Sequence, residues 1–237
     1  MKAVIIAAGL GSRIKDETDG SPKTLLPFMG GTILSTILNN LAQTGIREFI
    51  IVVGYKSEQI INYLNKNNNF GFQITIVNNN EWHKGNGLSV LAAENSVGEA
   101  EFLLSMSDHI VSISALIRIA NFNSDKNLLL VDPDIENNFD IDDATKVEVN
   151  EINIINIGKE IANYNGFDCG IFRLNNRFFD AMREQLMNNS ESISAAINEL
   201  IKKTDMHAVL TKKEDYWFDI DTREAYNHCL SKLMEQD

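Results

Sequence analysis

Apolar segments of strand length alternate with helical patterns in the first half of the chain, and this alternation restricts the possible folds most. The segments at 2–8 and 49–53 are almost entirely apolar, which is typical of strands buried on both faces. Thr32 and Ser57 each precede apolar residues at helical spacing, so we expect each to cap a helix. Further strands are predicted at 72–77, 101–105 and 128–131, with helices at 88–94 and 112–121. Such an alternation predicts a mainly parallel sheet with helices on both faces.

The pattern changes after residue 131. Residues 132–143 are acidic and rich in asparagine, which predicts a loop, while segments at 145–149 and 152–157 predict an antiparallel hairpin. More strands are predicted at 167–174, 206–210 and 216–220, and helices at 177–187, 192–202 and from 222 onward. The sequence contains no linker and no repeat. We therefore predict a single α/β domain over 1–237, in which an antiparallel extension is added to a parallel core.

Charge and composition argue against several kinds of partner. The net charge of −12 disfavours binding to nucleic acid or to anionic membranes, because proteins that bind these present a basic surface. No apolar stretch approaches the ~20 residues of a membrane-spanning helix, and the first residues lack the pattern of a secretory signal. Cys169 and Cys229 lack metal-site spacing and suit a reducing compartment, so we expect a cytoplasmic protein.

A glycine-rich loop follows the first predicted strand. Gly9 and Gly11 leave space for backbone N–H groups to contact an anion, and Arg13 and Lys23 add positive charge. The spacing matches neither the dinucleotide fingerprint nor the P-loop. A plain tight turn is the alternative interpretation, but two cations here in an acidic chain favour a phosphate-binding loop.

Three aspartates near predicted strand ends are of interest. Asp108 follows the strand at 101–105, and Asp219 follows aromatic residues near the end of the chain. Carboxylates from two parts of a fold, completed by phosphates and water, are typical Mg²⁺ ligands. A helix cap or a solvated loop position is the alternative for Asp108. Asp221 has a simpler explanation, because with Glu224 it forms the pattern of a helix capping box.

Residues 78–87 are rich in amides and glycine. They predict either a loop that reads a base edge or a plain polar loop. His83 and His109 have no metal-ligand spacing and are interpreted as ordinary loop histidines, while Phe178 and Phe179 are expected in the core. Covalent catalysis is disfavoured, since the chain lacks a nucleophile-elbow motif and neither cysteine has a histidine placed to activate it.

Together these features resemble the nucleotidyltransferase family of the nucleoside-diphosphate-sugar pyrophosphorylase type. The opening motif of that family, Ala-Ala-Gly-x-Gly-(Ser/Thr)-Arg and later Pro-Lys, matches residues 7–13 and 22–23. The resemblance covers essentially the whole chain. It implies a Rossmann-like three-layer α/β/α fold, with 1–131 as a nucleotide-binding core and 132–237 as the acceptor-binding and C-terminal part of the same domain.

Within that family, three stretches look closest to CTP:inositol-1-phosphate cytidylyltransferases. These stretches are 107–109, 142–147 and 157–172. The resemblance implies that the acceptor's phosphate attacks the α-phosphorus of CTP in line, which releases pyrophosphate and forms the CDP-alcohol. It also implies inositol-1-phosphate as acceptor and Mg²⁺ as cofactor.

The same resemblance implies a role for individual residues. Arg13 and Lys23 are implied to be catalytic, Asp108 and Asp219 to bind the metal, and Lys159 and Asp168 to bind the acceptor. The implied nucleotide-binding residues are Ala7, Ala8, Gly9, Gly11, Ser12, Asn79, Gly85 and Asn86.

Other functions remain open at this stage. The acceptor could be a sugar-1-phosphate, phosphocholine or a phosphonate, and a quaternary amine would want an aromatic cage for which Tyr164 and Phe167 are candidates. A nucleotide-binding regulator without catalysis is disfavoured by the intact charged residues, and a pure interaction protein by the lack of helical heptads. The expected partners are small-molecule substrates, with a homodimer left open.

Overall fold

The computed structural model describes residues 1–11, 13–14, 20–136 and 144–235. Its strands are β1 (Lys2–Ala7), β2 (Pro27–Phe28), β3 (Gly31–Thr32), β4 (Glu48–Val53), β5 (Gln73–Asn78), β6 (Phe102–Met106), β7 (His109–Val111), β8 (Asn127–Asp132), β9 (Lys146–Asn150), β10 (Asn153–Gly158), β11 (Gly166–Leu174), β12 (Met206–Leu210) and β13 (Trp217–Asp219). Its helices are α1 (Ile33–Ala42), α2 (Ser57–Lys66), α3 (Asn86–Ala92), α4 (Glu94–Val97), α5 (Ile113–Ala120), α6 (Arg177–Met187), α7 (Ile193–Lys202) and α8 (Arg223–Met234).

The main sheet has the strand order β5-β4-β1-β6-β11-β8-β12-β10-β9 among the described residues. Strand β1 is parallel to both β4 and β6, as the apolar segments predict. Strand β11 runs antiparallel to both β6 and β8 and lies inside the sheet between them. The predicted α/β class and mixed, mainly parallel sheet are confirmed. The antiparallel part, however, is not confined to an edge of the sheet, because β11 is one of its central strands.

Each face of the sheet is covered by one layer of helices. Ala3 and Ile5 pack into one core with residues from α1, α2, α5 and α8. Val4 and Ile6 point the other way and pack with residues from α3, α4, α6 and α7. Because successive strand residues point to opposite faces, an all-apolar segment is required wherever both faces are covered. The predicted three-layer arrangement and the core positions of Phe178 and Phe179 are confirmed.

Side-chain caps begin several of the helices. The hydroxyls of Thr32, Ser112, Ser192 and Thr222 each accept a hydrogen bond from a backbone N–H in the first turn. The predicted cap at Ser57 is wrong. Lys56 takes the cap position in a left-handed conformation, with φ of 48°, and Ser57 is already the first helical residue.

Strands β7 and β13 form a separate two-stranded pair that the sequence analysis did not predict. Asp219 lies opposite His109 in its register. The pairing therefore brings the late aspartate to the residues that follow β6. Both cysteines are buried free thiols, and the described residues contain no helix long and apolar enough to cross a membrane.

Asp215 fastens the loop before β13 to the beginning of α5. Its buried carboxylate accepts hydrogen bonds from Ser112 at 3.1 Å, from Arg118 at 2.5 Å and from the Lys212 N–H at 2.7 Å. Burial alone would raise the pKa of Asp215, but the hydrogen bonds that stabilise its ionised form lower the pKa to about 2.

We expect the Asp215→Asn substitution to destabilise the fold by roughly 1–3 kcal/mol at neutral pH, because it removes a charge from a satisfied buried network. Since the folded-state pKa is depressed, the contribution of Asp215 is present above the unfolded-state pKa and is lost as pH falls toward 2. Urea unfolding at several pH values measures the difference. Asp180→Asn, on an exposed i,i+3 pair with Arg183, is the control and should change stability little. A pH-independent difference would contradict the electrostatic explanation.

Candidate active site

Two adjoining cavities open at the ends of β1 and β6. The first, the glycine-loop cavity, has a volume of about 260 Å³ and is lined by Ala7, Ala8, Gly9, Gly11 and Lys23 among others. The second, the bulge cavity, has a volume of about 270 Å³ and is lined by Lys159, Asp168, Gly170, Trp217 and Asp219 among others. The two share Arg13, Asn86, Met106, Asp108 and Asp221. Most of the predicted residues, from distant parts of the chain, thus meet at one place; of the described ones, Asn79 and Gly85 are not among the lining residues.

Gly11 is required in the glycine loop for two reasons. Its φ of 62° lies in the left-handed region, and a Cβ at this position would stand 2.8 Å from the Cβ of Lys23. A Cβ at Gly9 would have no heavy atom within 4 Å, so the position of the missing side chain is open space. The loop therefore exposes backbone to the cavity beside Lys23. Ser12, which was predicted to bind nucleotide, lies outside the described residues.

Lys23 is a buried cation at the wall between the cavities. Its ammonium nitrogen contacts Asp108 Oδ2 at 2.5 Å and also contacts Asp221 Oδ1. Burial alone would lower the pKa of Lys23, but Asp108, Asp221 and Asp219 together raise it above its ordinary value. For the same reason Lys23 holds the pKa of buried Asp108 below its usual range. The pair is therefore ionised at neutral pH.

Asp221 is a site residue that sequence reasoning interpreted as a helix cap, and that interpretation is wrong. Thr222 caps α8 through its own hydroxyl, which leaves the Asp221 carboxylate free of that role. The carboxylate instead contacts Lys23 and lies 2.5 Å from the guanidinium of Arg13. Its separation from Asp219 by one residue was the available signal, because alternate residues of an extended segment share a face.

His109 was interpreted as an ordinary loop histidine, and this was also wrong. Its Nδ1 lies 2.9 Å from Asp108 Oδ1 and 3.8 Å from Asp219 Oδ1, with the side chain almost completely buried. Burial alone would lower the pKa of His109, but the carboxylates of Asp219, Asp108 and Asp168 raise it to about 9. His109 therefore adds a second buried positive charge among the aspartates.

Asp108, His109 and Asp219 form a group that could hold a metal ion. One ligand atom from each lies within 4.8 Å of the others. Asp219 Oδ1 is buried without a hydrogen-bond partner among the described residues, and burial raises the pKa of Asp219 to about 6. An orphaned carboxylate oxygen beside a second carboxylate fits a hard divalent cation, which supplies the missing partner. His83 does not belong to this group.

A bulge in β11 turns Asp168 into the bulge cavity. The register of β11 against β8 shifts between Asp168 and Phe172, and Gly170 within it has φ of 72°. The Gly170 N–H donates to Asp168 Oδ1 at 2.7 Å, and a Cβ on Gly170 would stand 2.5 Å from the His109 ring. Burial raises the pKa of Asp168 to about 6, against the lowering effects of that N–H and of His109. Lys159, from the loop after β10, lines the same cavity.

Trp217 is a third residue that sequence reasoning did not assign to the site. Its indole Nε1–H donates to Asp132 Oδ2 at 2.7 Å, and its ring stacks on His109 with centroids 6.0 Å apart. The indole therefore forms a fixed part of the bulge-cavity wall. In contrast, Phe167 is completely buried, Tyr164 packs on it, and neither lines this cavity. The aromatic cage that a quaternary amine would need is not formed by this pair.

The amide-rich segment contributes Asn86 directly and other residues indirectly. Asn86 lines both cavities. Asn79 is buried; its Nδ2 donates to Ser89 and its Oδ1 accepts from the Glu81 N–H. Neither Asn79 nor Gly85 lines the glycine-loop cavity or the bulge cavity. Their predicted contacts with a nucleotide remain predictions, while the structure gives each a role in building the wall. Trp82 and Lys84 line the glycine-loop cavity without having been predicted.

Comparison with known families agrees with this geometry. The family model described as a MobA-like NTP transferase domain matches residues 3–131, which is more than half of the chain. The chain belongs to this family. The matched part contains the glycine loop, Lys23, Asn86 and Asp108, so the predicted nucleotidyltransferase family is confirmed.

Individual relatives are more specific. The chain is 33% identical over 98% of its length to the bifunctional IPC transferase and DIPP synthase of Aquifex aeolicus, covering 52% of that protein. It is 33% identical over 99% of its length to the protein of the same name from Archaeoglobus fulgidus, covering 44% of it. The chain thus spans about half the length of these relatives. The solved inositol-1-phosphate CTP transferase from T. maritima superposes with a TM-score of 0.86 at 26% identity, over 99% of this chain and 94% of that one.

We expect His109 of the metal-free protein to stay protonated up to about pH 9. Asp219→Asn removes the negative charge that contributes most to the raised pKa of His109, so this pKa should fall toward its ordinary value. Titration of the ring Cε1–H signal by NMR in the presence of a chelator measures both. Asp180→Asn, at an exposed position of α6, is the control and should leave the titration unchanged. A wild-type midpoint near the ordinary histidine value would contradict the described environment.

Proposed function

We propose that this protein transfers a cytidylyl group from CTP to inositol-1-phosphate, forming the CDP-alcohol and pyrophosphate. The observation that carries the proposal is the position of Lys23, which stands between Asp108 and Asp221 where the two cavities meet. Support for the substrates comes from the printed names of the IPC transferase relatives and of the T. maritima transferase. Family membership supports the reaction class.

The glycine-loop cavity is the proposed nucleotide site. Ala7, Ala8, Gly9 and Gly11 line it, and the absence of side chains at the two glycines allows phosphate oxygens to approach the backbone. Arg13 adds a partly exposed guanidinium that would hold the phosphates that leave as pyrophosphate. Asn86 would contact the nucleoside from the opposite wall.

The reaction needs positioning and charge neutralisation and no covalent enzyme intermediate. An oxygen of the acceptor's phosphate forms a bond to the α-phosphorus of CTP, and the bond from that phosphorus to the β-bridging oxygen breaks. The electron pair of the broken bond leaves with pyrophosphate. Lys23 would stand beside the α-phosphate and the incoming phosphate, where its fixed charge stabilises the transition state.

Asp108 and Asp219 are the proposed metal ligands, and Mg²⁺ is the proposed ion. The oxygen donors and the orphaned Asp219 Oδ1 fit a hard cation, and His109 is the third member of the same group. When bound, Mg²⁺ would supply positive charge that offsets the negative charge of the phosphates. Asp108 would then exchange part of its contact with Lys23 for the ion.

The bulge cavity is the proposed acceptor site. Lys159 would pair with the acceptor's phosphate, and Asp168, ionised at neutral pH, would accept hydrogen bonds from the acceptor's hydroxyls. A polyol satisfies such an acceptor-only carboxylate, whereas a quaternary amine does not use its hydrogen-bonding capacity. We also propose that residues 1–131 form the nucleotide-binding part of the domain and residues 132–237 the acceptor-binding and C-terminal part. The proposed location of the protein is the cytoplasm.

A matrix of the four NTPs against candidate acceptors tests the function. With Mg²⁺ present, we expect the fastest pyrophosphate release with CTP and inositol-1-phosphate. Hexose-1-phosphates, phosphocholine and aminoethylphosphonate are the competing acceptors. Turnover of a hexose-1-phosphate without turnover of inositol-1-phosphate would overturn the acceptor but not the family. Addition of a chelator should stop release, and added Mg²⁺ should restore it.

We expect Lys23→Ala to reduce kcat by about 10²–10³ while the chain stays folded, because it removes an electrostatic contact made to the reacting phosphates. Steady-state rates and circular dichroism measure the two effects. Lys66→Ala, on the exposed end of α2, is the matched control and should behave as wild type. Near-wild-type turnover of Lys23→Ala would show that Lys23 is not catalytic.

A further inference from the structure

The N-terminus of α3, formed by its cap Gly85 and by Asn86 and Gly87, is fastened to the start of α7 by three hydrogen bonds. The Gly85 N–H donates to Glu191 Oε2 at 3.0 Å, and the Gly87 N–H donates to the Glu191 carbonyl at 2.9 Å. In the opposite direction, the Ile193 N–H donates to Asn86 Oδ1 at 2.9 Å. The three bonds alternate in direction and hold Asn86 between two anchored neighbours.

Glu191 also explains why residues 85 and 87 are glycines. Gly85 has φ of −65° and ψ of 151°, a conformation that any residue adopts, but a Cβ there would overlap the Glu191 carbonyl. A Cβ on Gly87 would stand 2.7 Å from the same carbonyl and would overlap Met182 Sδ. The two glycines are therefore required by the close approach of Glu191, and at Gly87 also of Met182, and not by the backbone conformation at the start of α3.

Asn86 connects the two cavities. Because its Oδ1 is occupied by Ile193, the amide cannot flip without losing that bond, so its Nδ2 donor is fixed in direction. Asn86 lines both cavities, and Ile193 and Ser194 line the bulge cavity beside it. The position of Asn86 is therefore set by Glu191, a residue that lines neither cavity.

We propose that Glu191 is a positioning residue that fixes Asn86 against both substrates. Glu191 lies immediately before Ser192, the cap of α7, so the start of α7 holds its backbone while its carboxylate holds the N-terminus of α3. Loss of the carboxylate frees the Gly85 N–H and lets Asn86 move relative to the glycine loop. This inference rests on the proposed nucleotidyl transfer, but its first readout is nucleotide binding, which needs no acceptor.

Equilibrium binding of CTP with Mg²⁺, measured by calorimetry, tests the proposal. We expect Glu191→Ala to raise the Kd for CTP about tenfold, which corresponds to one charge-assisted hydrogen bond. Glu191→Gln retains an amide oxygen that can accept the Gly85 N–H and should bind within about threefold of wild type. Gly85→Ala, which forces a Cβ against the Glu191 carbonyl, should weaken binding as Glu191→Ala does. In turnover assays, Glu191→Ala should also raise the KM for inositol-1-phosphate.

Glu184→Ala is the matched control. Glu184 lies on α6 in an exposed pair with Lys203 at 3.0 Å, so its loss should leave the Kd for CTP unchanged. Thermal unfolding of all variants separates positioning from stability, because a merely structural Glu191 would lower Tm without changing the Kd. CTP binding by Glu191→Ala equal to that of wild type overturns the inference alone. A wild-type chain that binds no CTP overturns the proposed function and this inference together.

Discussion

The site depends on one interaction: the buried ammonium of Lys23 held between Asp108 and Asp221. An isolated charge in this position would be strongly destabilising, and the opposite charges make its burial possible. Each partner comes from a different part of the chain, since Lys23 follows the glycine loop, Asp108 follows β6, and Asp221 follows β13. The contact therefore joins three loops, and the geometry of each loop is set by the same balance of charge.

The same balance explains how a chain with net charge −12 presents a site suited to phosphates. Lys23, Arg13 and His109 concentrate positive charge among the aspartates, and the carboxylates around His109 raise its pKa. Asp108 belongs both to the ion pair with Lys23 and to the group that could hold a metal ion, so the two kinds of charge lie side by side.

Local patterns were sufficient for most of the fold and for part of the site. Strand β1, helix α6 and strand β12 follow from apolar periodicity, and the glycine loop with Arg13 and Lys23 follows from a short motif. The pair β7–β13 was beyond such reasoning, because each strand is only three residues long and forms through a partner about a hundred residues away. His109 and Asp221 were misassigned for the same reason. Their roles depend on neighbours in space, whereas a loop histidine and a capping box are explanations drawn from neighbours in sequence.

The position of β11 has a consequence for how the molecule comes into being. Because β11 (Gly166–Leu174) lies between β6 and β8, the two parts of the sheet cannot be joined until more than two thirds of the chain has been synthesised. Strands β5, β4, β1 and β6 can associate earlier through contacts close in sequence, but the edge of β6 then waits for a late, distant partner. The bulge that carries Asp168 is part of that arriving strand. Until β11 is inserted, the edge of β6 in the N-terminal half is therefore unpaired, and the site still lacks Asp168 and the bulge that positions it.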